Sequence, residues 1–150
     1  MVKKVGFPVL LGLIFVIFTA STALSHCEIP CGIYDDHMRV HMIEEHITTI
    51  EKSMKQITSL QKEKPINYNQ LVRWIMNKED HANKLQEIVT QYFMTQRIKM
   101  DTKNYEKKVT LLHQMLVYAM KCKQTTDLSN TQKLRSLLKQ FEDLYLDHTH

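Results

Sequence analysis

Between residues 40 and 57 the apolar side chains fall at Val40, Ile43, Ile47, Ile50, Met54 and Ile57, alternating steps of three and four. Only a helix gathers such a series onto one face, because a strand returns to the same face every second residue. Three more stretches repeat the pattern. Leu71, Ile75, Ala82, Leu85, Val89 and Tyr92 form the second, interrupted at Lys78; Tyr105, Val109, Leu112, Leu116 and Ala119 form the third. Leu134, Leu137, Leu138, Phe141, Leu144 and Tyr145 give the last a wide apolar stripe. The breaks between them are readable too. Pro65 keeps Lys64 out of helical geometry, Asn67 or Asn69 can cap the second helix, and Ser129 with Gln132 resembles a capping box. With 3 Gly and 3 Pro in 150 residues, the chain lacks the punctuation of an all-β fold. The expectation is an all-α, antiparallel up-down four-helix bundle over residues 35–150, the second helix ending near Arg97.

Such a bundle does not specify an activity, so function must come from a site. Several sites are excluded. No glutamate has a histidine three residues later, as a di-iron carboxylate bundle requires. There is no haem-attachment, zinc-protease or phosphate-loop motif. The formal charge of +4 includes Lys3 and Lys4, too little for a nucleic-acid-binding face. His37, His41 and Glu45 share a helix face and read as a solvated strip. His46, His81 and His113 stand alone, as surface or hydrogen-bonded histidines, and His148 and His150 could chelate metal only weakly.

The amino terminus reads as a secretory leader. Lys3 and Lys4 precede an apolar run from Val9 to Phe18, too short to span a bilayer, and a small-residue exit through Ala23 and Ser25 comes next. Cleavage after Ser25 is expected, giving an exported protein with no stable membrane association. A leader left in place would instead tether it. Although Cys27 comes after Leu24, Ser25 and His26, a lipoprotein signal is rejected because His26 is not small.

Cleavage at that point makes His26 the first residue of a cysteine-rich string, His26-Cys27-Glu28-Ile29-Pro30-Cys31-Gly32-Ile33-Tyr34. In an exported protein Cys27 and Cys31 could form a disulfide, leaving Cys122 unpaired. They could equally be metal ligands. A freed α-amine titrates near neutrality, Cys27 can chelate through its thiolate and its own amide nitrogen, and Pro30 and Gly32 can turn Cys31 back. A planar two-nitrogen, two-sulfur donor set with an axial imidazole suits nickel or copper rather than zinc.

The string His-Cys-x-x-Pro-Cys-Gly-x-Tyr resembles the nickel hook of nickel superoxide dismutases at six fixed positions, His26, Cys27, Pro30, Cys31, Gly32 and Tyr34. The resemblance implies a hook over residues 26–34 holding one nickel ion per chain through His26, Cys27 and Cys31, with Tyr34 acting from the outer sphere. It implies disproportionation of superoxide to dioxygen and hydrogen peroxide through a Ni(II)/Ni(III) cycle, with thiolate and amide donors stabilising the higher state. It implies a cis Ile29–Pro30 bond, a homohexamer, and a carboxylate and an arginine orienting the imidazole, for which Glu44, Glu45 and Arg39 are the nearest residues in the first helix. Two rivals compete with this reading: an exported, non-catalytic nickel- or copper-binding helical protein, and a disulfide-stapled interaction module.

Overall fold

The computed structural model describes residues 29–146, and the chain divides after Cys31 into two units. The second unit contains helices α1 (Asp36–Leu60), α2 (Tyr68–Glu87), α3 (Tyr105–Gln124) and α4 (Ser129–Leu146). Between α2 and α3, a π-helix runs directly on from α2 over Ile88–Arg97. Each helix packs on the next and α1 closes against α4, giving the four-helix bundle. No strand occurs among the described residues.

Helix α1 starts where Asp35 accepts a hydrogen bond from the Met38 amide at 2.9 Å, a side-chain cap on a donor the helix cannot satisfy itself. All six residues of its expected stripe are buried. Asn67 caps α2 by accepting from the Gln70 amide. Asn104 precedes α3 in the left-handed region at φ 60°, a conformation asparagine tolerates. At α4 the expected capping box does not form. Ser129 is instead the first helical residue, and its amide and hydroxyl both donate to Asp127.

The second helix departs most from its expected face. Ile75 is exposed and Lys78 is buried. The Lys78 ammonium donates to the Cys122 carbonyl at 2.9 Å, to the Lys123 carbonyl and to the Thr125 carbonyl. It therefore satisfies the orphan carbonyls that end α3, and a cation is well placed at that negative helix terminus. In α3 the buried face likewise turns toward Lys108, Leu111, Leu112, Met115, Ala119 and Cys122, leaving Val109 and Leu116 only partly covered.

The π-helix decides what the amino-terminal end of α1 meets. The Ile98 amide donates to the Phe93 carbonyl, five residues back, and the side chains of Thr95 and Gln96 reach the carbonyls of Thr90 and Gln91. In an α-helix, residues five apart are turned by about 140° from one another at 100° per residue. The wider π turn brings them onto one face. Ile88, Phe93 and Ile98 are accordingly all buried, and Tyr92 and Arg97 point the same way.

Candidate metal centre

The described end of the first unit is a tight turn. Ile29–Pro30 is a cis peptide, Cys31 lies at φ 38° and Gly32 is next at φ 89°. A Cβ on Gly32 would meet nothing within 4 Å, so glycine is required there for its backbone angle rather than for space. Cys31 is exposed. His26 and Cys27, like the leader expected at 1–25, lie outside the described residues.

The other cysteine is no donor. Cys122 is fully buried on α3, and burial pushes its thiol up to about 11, so it stays protonated and unreactive near neutral pH. Among the described residues no group of three or more His, Cys, Asp or Glu side chains is placed to hold a metal ion. The exposed His37, His41 and Glu45 form the expected solvated strip, and His113 is exposed as well.

Tyr34, the last residue of the hook string, is set by the bundle. Its ring meets Tyr92 edge-on at 5.8 Å between centroids, and the Arg97 guanidinium lies 4.3 Å from its centre. Beneath this pair lies Asp36, in the first turn of α1. Arg97 grips its carboxylate with two nitrogens, at 2.8 and 2.6 Å, and the hydroxyls of Tyr92 and Tyr145 donate to it at 2.6 and 3.0 Å. Burial would raise the Asp36 carboxyl, but the hydrogen bonds from Arg97, Tyr92 and Tyr145 outweigh it and hold the group below the usual carboxylate range. Burial raises both tyrosines, Tyr145 to about 12, and the Asp36 charge adds to it. Both hydroxyls are therefore donors throughout the working pH range. One carboxylate thus ties together α1, the π-helix and α4, a charge-assisted network of the strong kind.

Asp36, Tyr92, Arg97 and Tyr145 were not singled out from the sequence. Tyr92 and Tyr145 looked like members of apolar stripes, and Arg97 like a helix end. The residues expected by proximity behave differently. Glu44 is engaged by Arg135 of α4, and Glu45 is exposed. Arg39 stacks over the Tyr92 ring at 5.0 Å and donates weakly to the Met42 sulfur at 3.7 Å. Its buried Nε has no hydrogen-bond partner among the described residues. Of the two arginines around Tyr92, Arg97 is neutralised by Asp36, while Arg39 has no ion pair among the described residues.

The described residues form a four-helix bundle, with an exposed cysteine, Cys31, just ahead of it in sequence and a tyrosine, Tyr34, held against Tyr92 and Arg97. The nickel-containing superoxide dismutase family model matches residues 21–149, and the chain belongs to that family. It is an oxidoreductase acting on superoxide. No curated protein and no solved structure gives a match.

Proposed function

We propose that the chain is exported, loses residues 1–25, and holds one nickel ion in the hook through the His26 α-amine and imidazole, the Cys27 thiolate and amide nitrogen, and the Cys31 thiolate. Family membership supports this reading together with the string His-Cys-x-x-Pro-Cys-Gly-x-Tyr at 26–34. The donor chemistry fits. Cys31 is exposed on a turn, Cys122 is withdrawn into the core, and soft thiolate with nitrogen donors suits nickel. When bound, nickel supplies one-electron exchange between its +2 and +3 states, so that two superoxide ions and two protons become dioxygen and hydrogen peroxide.

The chain's own residues supply the rest. The Cys27 and Cys31 thiolates and the Cys27 amide nitrogen would donate electron density to the nickel, and the His26 amine and imidazole would complete the donor set. Tyr34, steadied by Tyr92 and Arg97, presents a hydroxyl that can hold water or a proton for the peroxide product. Arg39, with no ion pair among the described residues, places positive charge over the Tyr92 ring, which attracts an anionic substrate.

Assembly into a hexamer belongs to the same proposal. Along the outer side of α2, Tyr68, Val72, Ile75 and Met76 are 68%, 52%, 39% and 65% exposed, an apolar patch of the kind that marks contact surfaces.

The deciding experiment adds one residue ahead of His26 in the processed protein. Dismutation is expected to vanish while helical content is unchanged. Full activity in that protein would overturn the terminal-amine centre. Intact mass together with a dismutation assay separates the rivals: a chain beginning at His26 with one nickel that dismutes superoxide supports the enzyme, the same chain without dismutation supports the metal carrier, and a metal-free chain lighter by two hydrogens supports the disulfide staple.

A further inference from the structure

The bundle pairs two histidines that stand 35 residues apart in sequence. His46 on α1 and His81 on α2 face each other with their Nδ1 atoms 3.0 Å apart and their rings edge-on at 5.0 Å. We propose that this pair is a second metal site, separate from the hook, at which the two Nδ1 atoms take a divalent late transition-metal ion of the copper, nickel and zinc class as neighbouring ligands. Water completes the shell.

The distance is the first argument. Imidazole nitrogens bind such ions at about 2.0–2.1 Å, so two neighbouring ligands at square or tetrahedral angles stand about 2.8–3.4 Å apart. The two nitrogens already have that spacing, and small ring rotations would aim both lone pairs at one point between the helices.

Protonation is the second. A hydrogen bond between two Nδ1 atoms requires one to donate and the other to accept, so both rings cannot be cationic. Burial lowers the pKa of both histidines. The facing ring lowers His46 further, and Lys84 lowers His81. Glu45 and Asp80 pull the other way, but Asp80 is largely held by Lys84 at 2.7 Å. Neutral imidazole is the ligand form.

Packing is the third. His46 is only 9% exposed while His81 is half-buried, so one ligand is held rigidly and the other borders solvent, leaving a route of entry. No described carboxylate or thiol joins them. The site is therefore a two-histidine clip with exchangeable positions rather than a closed structural centre.

The proposal does not depend on the hook. Its test uses processed protein already loaded with nickel, titrated with Zn(II) at micromolar concentrations, with zinc and nickel both counted and the histidine proton resonances monitored. One further equivalent of zinc per chain is expected, with His46 and His81 shifting together and the melting temperature raised by several degrees. His81→Gln and His46→Gln should each abolish the added equivalent and the rise in melting temperature. His37→Gln combined with His41→Gln should leave both. Should His46→Gln perturb the bundle, the more accessible His81→Gln decides alone. Absence of a further equivalent, or one that survives His81→Gln, would overturn the proposal.

Discussion

The hook string and the Asp36 platform are assembled by opposite means. The proposed hook would draw its donors from one run, residues 26–34, and its chemistry would depend on residue type and order. The platform draws Asp36 from α1, Tyr92 and Arg97 from the π-helix, and Tyr145 from α4, and it exists only once the bundle has folded. A contiguous ligand set can be lost without harming the fold, whereas a dispersed network cannot be altered without loosening it.

The largest effect should come from the hook itself. Cys31→Ser is expected to remove bound nickel and drop dismutase activity at least a hundredfold, beyond the 10–100-fold typical of an outer-shell change, with melting temperature nearly unchanged. If thermal stability collapsed with the activity, the two regions would not be separable as described.

Asp36→Asn should do the reverse in kind, acting first on stability. Removing one partner of a fully buried pair costs about 3–5 kcal/mol. Asp36 and Arg97 retain side-chain exposures of 11% and 25%, so a loss of about 2 kcal/mol is expected after discounting for solvent screening. For a chain of this length that is a fall of about 4–8 °C in melting temperature. An unchanged melting temperature would show that the platform is ornamental.

Acid sharpens the same contrast. Because the folded-state carboxyl of Asp36 is held below its ordinary range, its contribution is fully present above that range and is lost as pH falls through the depressed value. The stability gap between parent and Asp36→Asn should therefore close in denaturant titrations at progressively lower pH. A gap of constant size would mean the carboxylate charge is not what the tyrosines and Arg97 recognise.

The smallest effect belongs to the residue joining the two regions. Tyr34→Phe keeps the ring that Tyr92 and Arg97 contact and removes only the hydroxyl. Activity should fall by about tenfold or less, near 1.4 kcal/mol in the barrier, with nickel content retained. Loss of nickel in this variant would make Tyr34 part of the metal's hold rather than an outer-sphere group.

Much of the bundle was legible because helical stripes repeat along the chain. Every stripe residue of α1 is buried, as are Leu134, Leu137, Leu138, Phe141 and Tyr145 of α4. What escaped notice were residues whose partners are remote. Lys78 broke an apolar stripe and read as an interruption, yet its ammonium closes the end of α3. Tyr92 and Arg97 could not be paired on α-helical periodicity, since only the π turn aligns residues five apart.

By itself, the amino-acid sequence determined the helical class and a complete candidate ligand string, because both depend on residue type at short spacing. Tertiary structure alone decided which polar groups meet inside the bundle: Asp36 with Arg97 and two tyrosines, Lys78 with the α3 carbonyls, and His46 with His81. A hydrogen bond depends on distance and direction in space, and separation along the chain does not encode either once helices pack side by side.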